Sequence, residues 1–404
     1  MLTGVRVPVE SLTRVAAPDP EPVTLLCFSH LRWNFVFQRP QHLMSRFAEE
    51  MKVIYWEEPI VIAPGETAFV QVRQAEDFPD VTVAVPHLPE GLSMPEAEAT
   101  LTRLATNYAA SLKGALVKWY YTPMMLPFSR QIEADTIVYD CMDELSQFKF
   151  APPMLLELEQ ELIDSADLVF TGGSSLFEAK KDRHSSVHLF PSSVDRDHFA
   201  LARSGATDPQ DQANLARPRL GFYGVIDERF DIDLLRQMAD ARPNWQFVMV
   251  GPVVKISDED LPRAANIHYV GGKTYEQLPH YLSGWDVALM PFAINEATRF
   301  ISPTKTPEYL AGGKPVVSTP IRDVVRHYGH LQGVQIAYDA DGFVAACEKA
   351  LELAKDPKGQ WLAEADLLLS ATSWDTTQAR MSGLIHDVLG ERTGVQQNML
   401  VAAE

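Results

Sequence analysis

Short apolar segments alternate with longer amphipathic segments along most of the chain, and this alternation restricts the possible folds more than any other feature. The strand-like segments of the first half are Val23–Phe28, Lys52–Trp56, Val81–Val85, Val117–Tyr121, Thr136–Asp140, Asp167–Thr171 and Val187–Phe190. Between them, Gln41–Glu50 and Pro153–Ser165 have the pattern of helices. Because the strand segments are continuously apolar, they fit strands that helices cover on both faces. The pattern therefore predicts an α/β domain with a parallel sheet.

The alternation breaks at residues 201–217, which are polar, contain Gly205 and Pro209, and show no apolar period. It then restarts, with strand-like segments at Arg219–Tyr223, Gln246–Val250, Ile267–Val270, Val287–Phe292 and Pro315–Thr319. The sequence thus predicts a mobile tail over residues 1–22, a first domain over 23–200, a linker over 201–217 and a second doubly wound domain from 218 onward. Two such domains in tandem imply a cleft between them, with ligands at the carboxyl ends of the strands.

The charge balance argues against a nucleic-acid partner. The chain of 404 residues has 35 Lys+Arg and 54 Asp+Glu, a formal net charge of −19, whereas a duplex is held mainly by cations laid against phosphates. The three cysteines are too few and too scattered for a disulfide framework, which favours a reducing compartment. Residues 1–22 lack the apolar core of a signal peptide, and no run approaches the roughly 18 apolar residues of a membrane span. We therefore expect a cytoplasmic protein.

The segment Arg299–Pro320, RFISPTKTPEYLAGGKPVVSTP, carries the most information. It predicts a helix of about two turns that begins after Ser302-Pro303-Thr304, because Pro307 is tolerated only in a first turn and two glycines then end the helix. A strand follows directly.

The start of this short helix is a candidate anion site. Ser302 and Thr304 supply hydroxyls there, and Lys305 adds a full positive charge where the helix dipole disfavours one. Glu308, one turn further on, is placed to accept hydrogen bonds from the vicinal hydroxyls of a sugar. The alternatives are that the two hydroxyls only cap the helix and that Lys305 and Glu308 form a solvated helical pair.

Several stretches together resemble GT-B glycosyltransferases, particularly the large retaining group often called family 1 or family 4. The nucleotide-sugar motif of that group is similar to Lys305, Glu308, Tyr309, Leu310, Ala311, Gly313, Pro315, Val316 and Val317. Further resemblance, in the family's order, lies in Phe28–Leu43, Phe190–Phe199, Gly272–Phe292 and Trp374–Ile385. The first of these is similar to the opening of a bacterial polysaccharide-type subgroup. The likeness covers roughly residues 23–388.

This resemblance implies two Rossmann-like domains that face a central cleft. The first would bind the acceptor, residues 218–373 would bind a nucleotide-sugar, and a helix over 374–390 would cross back to the first domain before a tail over 391–404. The implied activity is transfer of a hexose from a nucleotide-diphosphate sugar, such as a UDP- or GDP-sugar, to a saccharide or lipid-linked acceptor. It implies no metal and no cofactor, at most peripheral contact at the inner face of the membrane, and a role in polysaccharide or cell-envelope biosynthesis.

The donor-binding residues expected by motif and by resemblance are Gly224, Arg229, Ser302, Thr304, Lys305 and Glu308. Two departures from the family pattern accompany them. Phe300 occupies the position of a usual Glu, with Arg299 and Glu296 as possible substitutes, and Val225 and Phe230 stand where Arg and Lys usually meet the diphosphate. These departures leave retention or inversion open and shift the binding of phosphate onto Lys305.

On the acceptor side, the segment TIVYDCMDE delivers Asp140 to the end of a strand and Asp143 into the following loop. Crowded carboxylates raise one another's pKa, which suits a general base, so both are candidate catalytic residues. The alternative is a helix cap or a carboxylate bonded to backbone amides. A metal site is the weakest reading here, because no histidine lies nearby.

Polar and aromatic residues are concentrated after the first strand, and a plain connector does not need them. The candidate acceptor-binding residues are Arg32, Trp33, Arg39 and His42. The alternative is that Trp33 and Phe37 belong to the core and that Arg39 pairs with Glu49 or Glu50.

Two other functions remain compatible with the sequence. One is a nucleotide-sugar epimerase of the same fold, and the other is a non-catalytic two-lobed binding protein for small molecules. A dinucleotide oxidoreductase is less compatible, because no GxGxxG fingerprint follows a strand.

Overall fold

The computed structural model describes residues 23–149 and 151–403, with side chains described up to residue 392. The first domain is built on a nine-stranded sheet. Its strands are β1 Thr24–Phe28, β2 Lys52–Trp56, β3 Ile60–Ile62, β4 Phe69–Gln74, β5 Val81–Pro89, β6 Leu116–Tyr120, β7 Thr136–Cys141, β8 Leu168–Thr171 and β9 Val187–Leu189. Their order is β3-β5-β2-β1-β6-β7-β8-β9, with β4 also on β5. Every pairing is parallel except β4 with β5.

Helices cover both faces of this sheet. They are α1 Arg39–Phe47, α2 Met94–Ala109, α3 Leu126–Ser129, α4 Leu155–Ser165 and α5 Ser174–Lys180. The next helix, α6 Arg196–Ala200, packs instead against the second domain, whose core contains its Phe199. In β1, Leu25 and Cys27 belong to one apolar cluster, whereas Leu26 and Phe28 belong to a second cluster on the other face. Because successive side chains of a strand point to opposite faces, this two-sided burial explains why the strand has no polar alternation.

The second domain contains a six-stranded, fully parallel sheet of order β12-β11-β10-β13-β14-β15. Its strands are β10 Arg219–Tyr223, β11 Gln246–Val250, β12 Ile267–Gly271, β13 Val287–Met290, β14 Val316–Ser318 and β15 Val334–Ile336. Its helices are α7 Gln210–Ala213, α8 Ile232–Ala241, α9 Leu278–Ser283, α10 Lys305–Ala311, α11 Arg322–Tyr328, α12 Ala340–Ala354 and α13 Gln360–Leu369. Short 3₁₀ turns lie at Pro123–Met125, Leu145–Gln147, Leu201–Arg203, Asp258–Asp260, Tyr275–Gln277 and Glu296–Thr298.

The last helix, α14 Trp374–Ala403, returns to the first domain. Its residues Trp374, Met381 and Ile385 are buried in the same cluster as Leu25 and Cys27. The helix continues through residues 391–403, where the sequence suggests a tail. The proposed tail over residues 1–22 lies outside the described residues.

The predicted α/β architecture with parallel sheets is confirmed. The strands that the sequence pattern does not reveal are β3, β4 and β15, which have three, six and three residues. Most side chains of β3 and β4 are exposed, so neither has the apolar run of a buried strand. The segment 201–217 is not extended chain: it contains a 3₁₀ turn and α7. Cys27, Cys141 and Cys347 are free and buried. Within the described ranges, we find no helix with the length and apolar character needed to cross a membrane.

Candidate active site

The main pocket lies between the two domains, at the carboxyl ends of both sheets. The first domain contributes Val36–Arg39 before and at the start of α1, Met142 and Asp143 after β7, and Ser192 after β9. The second domain contributes the ends of β10 and β11, residues around Tyr275, and the segment Ile301–Lys305 with Glu308. The donor candidates Gly224, Arg229, Ser302, Thr304, Lys305 and Glu308 all line this pocket, as do Arg39 and Asp143. Asp140, Arg32, Trp33 and His42 do not.

Helix α10 starts at Lys305 and ends beside Gly312 and Gly313, as the segment predicts. Thr304 is its N-cap residue, but its side chain makes no capping hydrogen bond, so capping does not account for this hydroxyl. The carbonyl oxygen of Ser302 accepts a hydrogen bond of 2.7 Å from the hydroxyl of Ser192. The first domain therefore contacts the loop that carries the donor candidates.

The backbone conformation at position 224 favours glycine, and a side chain there would displace Lys305. Gly224 has a φ of +137°, and a Cβ there would lie 2.2 Å from Cε of Lys305. Gly251, at the end of β11, has a φ of +143°, and its Cβ would lie 1.9 Å from the carbonyl oxygen of Gly224. The two glycines thus let the strand ends and the Lys305 side chain approach one another. Sequence reasoning missed Gly251, although its position directly after an apolar strand gave the same signal as Gly224.

Three of the four basic side chains that line the pocket are held by carboxylates. The pairs are Arg39–Asp140 at 2.8 Å, Arg229–Asp227 at 2.7 Å and Lys273–Asp211 at 2.8 Å. Lys305 is the fourth, and no carboxylate of the described residues lies within the 4.0 Å ion-pair distance of its ammonium.

The pKa of Lys305 is lowered, mainly by burial, although the charge of Glu308 opposes this shift. The pKa of Glu308 is raised by burial and pulled back by Lys305. The two charges therefore lie close to each other and face the same cavity without forming an ion pair. That arrangement leaves the ammonium available to an anion.

The two candidate catalytic carboxylates occupy different environments. Asp143 is half-buried in the pocket, and burial raises its pKa, an effect that Arg229 opposes. Asp140 is fully buried, and both of its oxygens accept hydrogen bonds from the Arg39 guanidinium, at 2.8 and 2.9 Å. The end of β7 thus places Asp143 in the pocket and directs Asp140 to an internal partner. Neighbouring Glu144 is fixed by Lys180 at 2.7 Å.

Three of the four acceptor-binding candidates lie outside the pocket. Arg32 bonds to the Glu57 carboxylate at 3.0 Å and to two backbone carbonyls. Trp33 is 6% exposed and packs edge-on against Tyr55. His42 is buried and stacks on Trp374 of α14, with ring centroids 4.6 Å apart.

These side chains join parts of the fold, because the loop after β1 folds back onto β2 and α1 packs against α14. Only Arg39 of the four lines the pocket, and it pairs with Asp140 rather than with Glu49 or Glu50.

The family departures also have structural counterparts. Phe300 packs against an apolar cluster of the first domain, and Glu296 pairs with Arg299 at 3.5 Å outside the pocket. Val225 lines the pocket, whereas Phe230 is buried in the core of the second domain. Across residues 23–149 and 151–403, we find no group of three or more His, Cys, Asp or Glu residues that would hold a metal ion.

Comparison with known proteins agrees with this geometry. Residues 217–353 match the family described as glycosyl transferases group 1. TuaH of Bacillus subtilis, whose name assigns it to teichuronic acid biosynthesis as a glycosyltransferase, is 28% identical over 254 residues. The alignment covers 58% of this chain and 63% of TuaH, so it spans less than two thirds of that relative.

Solved structures show the same architecture over nearly the whole chain. Sucrose-phosphate synthase from Thermosynechococcus elongatus superposes with a TM-score of 0.69 at 15% identity and covers 91% of this chain and 99% of its own. HepE of Anabaena, solved in complex with UDP, superposes with a TM-score of 0.63 at 11% identity and covers 91% of this chain and 100% of its own. The resemblance to GT-B glycosyltransferases is confirmed: solved structures share the fold over 91% of the chain, and residues 217–353 match the family model.

Proposed function

We propose that the chain transfers a sugar from a nucleotide-diphosphate sugar to a hydroxyl of a saccharide or lipid-linked saccharide. One observation carries the proposal. In the interdomain pocket, the ammonium of Lys305 lies over Gly224 without a carboxylate partner among the described side chains, and Asp143 lines the same pocket from the other domain. A free cation suits an anionic donor, and a separate carboxylate suits the activation of an acceptor hydroxyl.

Donor binding is assigned to the second domain. Lys305 binds the diphosphate, the missing side chain of Gly224 leaves the backbone open to it, and Glu308 accepts hydrogen bonds from sugar hydroxyls. The Ser302 and Thr304 hydroxyls and Arg229 surround the same space. As the nucleotide leaves, negative charge grows on its diphosphate, and a preorganised ammonium in a partly dry pocket stabilises that charge. The protein's own cation therefore supplies the electrostatic stabilisation that this step needs.

Acceptor activation is assigned to the first domain. Asp143 takes the proton of the acceptor hydroxyl, and its raised pKa makes it a stronger base than an exposed carboxylate. Arg39, held in place by Asp140, offers its guanidinium edge to acceptor hydroxyls. Asp140 then acts through Arg39 as a positioning residue. Movement of the domains about residues 201–217 and α14 closes the cleft and excludes water that would hydrolyse the donor.

The relatives suggest where to look for substrates. TuaH is named for teichuronic acid biosynthesis, so we propose polysaccharide or cell-envelope biosynthesis at the cytoplasmic face of the membrane. HepE binds UDP, so UDP-sugars are the first donors to test, followed by GDP-sugars.

The test is transfer by the purified full chain from UDP- and GDP-sugars to saccharide and lipid-linked acceptors, with products identified by mass spectrometry. We expect Lys305→Met to lower kcat/KM by at least about 100-fold, since removing one preorganised donor of charge stabilisation costs that much or more. Lys355→Met, at a lysine that is 70% exposed, follows the last residue of α12 and lies away from the pocket, is the matched control and is expected to keep wild-type turnover.

Three results would contradict the assignment. Near-wild-type turnover of Lys305→Met at saturating donor would remove Lys305 from the site. Conversion of the donor to an epimer without acceptor would indicate an epimerase, and nucleotide-sugar binding without turnover on any acceptor would indicate a binding protein. Turnover should also survive EDTA, and NMR of the anomeric proton of the product decides between retention and inversion.

A further inference from the structure

The Asp143 carboxylate makes no contact of its own that fixes it in the pocket. Within the described part of the chain, no hydrogen bond or ion pair reaches its carboxylate oxygens. Its backbone belongs to the irregular segment between β7 and the 3₁₀ turn Leu145–Gln147. A side chain without partners follows its backbone, so the contacts of Met142 and Glu144, its neighbours in the chain, determine where Asp143 points.

The residue before Asp143 is fixed by close packing on β8. The backbone N–H of Gly172, directly after β8, donates to the carbonyl oxygen of Cys141 at 2.9 Å. A Cβ at position 172 would lie 2.9 Å from Cα of Met142, so the absence of a side chain there allows the close approach. The start of the segment is thus held by the end of the neighbouring strand.

The residue after Asp143 is fixed by a buried ion network. The Glu144 carboxylate, 10% exposed, lies 2.7 Å from the ammonium of Lys180, the last residue of α5. Lys180 is itself 3% exposed and donates to both oxygens of Glu159 on α4, at 2.7 and 2.8 Å. Glu159 also accepts from Arg183 at 2.7 Å and from Tyr139 of β7 at 3.0 Å. The network therefore ties the segment after β7 to two helices.

Buried ion pairs often contribute little to stability, because desolvation offsets much of their attraction. They do hold their groups at a fixed distance and direction, and here the group that is held adjoins Asp143. We propose that Lys180 and Glu144 are positioning residues that keep Asp143 directed at the acceptor hydroxyl. Glu144 anchors the segment to Lys180, and Glu159 holds Lys180 in place. This inference rests on the proposed function, which assigns Asp143 as the base.

The test changes the anchor and measures kcat of the full chain. Glu144→Ala leaves Lys180 paired with Glu159, so the fold is kept, and we expect kcat to fall at least about 10-fold, since a misplacement of about 1 Å can cost about 100-fold. Glu144→Asp keeps the charge on a shorter side chain and should lower kcat at least about 3-fold. Glu144→Gln should stay within about 3-fold of the wild type, because its amide oxygen still accepts from Lys180.

Two comparisons separate positioning from a general loss of structure. The Kd of UDP or GDP, measured by isothermal titration calorimetry, should change less than about 2-fold in every Glu144 variant. If Glu144 acts through Asp143, Glu144→Ala should lower the kcat of Asp143→Asn less than about 2-fold, because residues that act as a unit have non-additive effects. Glu161→Ala is the matched control with wild-type kcat, since this glutamate of α4 is 44% exposed and pairs with Arg130 at 3.4 Å.

The possible outcomes distinguish this inference from the proposed function. Wild-type kcat in both Glu144→Ala and Glu144→Asp, with a large loss in Asp143→Asn, would overturn the inference alone. Equal losses from Glu144→Ala with and without the Asp143 carboxylate would also overturn it, because the effect would not pass through Asp143. Wild-type kcat in Asp143→Asn would overturn the assignment of the base in the proposed function, and the inference with it.

Discussion

The buried ion pair between Arg39 and Asp140 allows the structural and catalytic roles of Asp140 to be separated. Asp140 is fully buried and Arg39 is 4% exposed. The guanidinium donates twice to the carboxylate and once to the carbonyl oxygen of Phe190. Asp140→Asn keeps the shape of the side chain but removes its charge. Arg39 would then remain buried, with neutral acceptors only.

The expected cost follows from this burial. Removing one partner of a buried ion pair destabilises a protein by about 3–5 kcal/mol, because the remaining charge has no compensation. The amide oxygen of asparagine still accepts one hydrogen bond from Arg39, so we expect the lower end, about 3 kcal/mol. At about 2–4 °C per kcal/mol for a domain of this size, the unfolding midpoint of the first domain should fall by roughly 6–12 °C. The double variant Arg39→Met/Asp140→Leu should lose less stability than the sum of the losses in Arg39→Met and Asp140→Leu, because it leaves no unpaired buried charge.

Differential scanning calorimetry on the full chain measures these midpoints, and steady-state kinetics below the lowest midpoint measure kcat. Asp375→Asn is the matched control, because Asp375 pairs with Arg46 at the surface and is 80% exposed. An exposed pair of this kind contributes about 1 kcal/mol or less. A wild-type midpoint for Asp140→Asn together with a kcat loss of about 1000-fold would refute the reasoning. Asp140 would then be a catalytic base rather than the buried partner of Arg39.

Two further predictions concern the Lys305 side chain and its packing. Gly224→Ala should raise the donor KM at least about 10-fold, because the added Cβ would lie 2.2 Å from Cε of Lys305 at a φ of +137°. Gly272→Ala is the control, since the nearest atom would lie 3.9 Å from the added Cβ. Equal donor KM values for the two variants would contradict the packing argument. Burial lowers the pKa of Lys305, so diphosphate affinity should be full below that pKa and fall as pH rises through it, before the usual value of about 10.4 is reached. Titration calorimetry of diphosphate binding from about pH 7 to about pH 10 measures this change. Lys305→Arg is the comparison, because arginine stays charged over this range. The prediction is contradicted if the affinity of the wild type stays constant, or if the affinity of Lys305→Arg falls equally.

Local patterns in the sequence predict which donor candidates lie together in the pocket, but they do not predict which acceptor candidates lie there. The donor residues Ser302, Thr304, Lys305 and Glu308 lie within seven positions, so helix signals and residue chemistry place them together. Asp140 and Arg39 are separated by 101 positions. Whether a carboxylate at a strand end faces the cleft or an internal partner depends on that distant contact. The same holds for the residues after β1, whose aromatic and basic side chains suit either a sugar site or a core.

Lys305 has a second effect in the proposed reaction, because its charge acts on Asp143 across the pocket. Arg39, Arg229 and Lys273 are already paired with carboxylates, so an anion that reaches them competes with existing partners. The charges of Arg229 and Lys305 also lower the pKa of Asp143. A diphosphate bound to Lys305 offsets part of that positive charge and therefore raises the proton affinity of Asp143. In the proposed reaction, donor binding would thus strengthen Asp143 as a base for the acceptor hydroxyl, and this would couple the two halves of the cleft without any movement of Asp143.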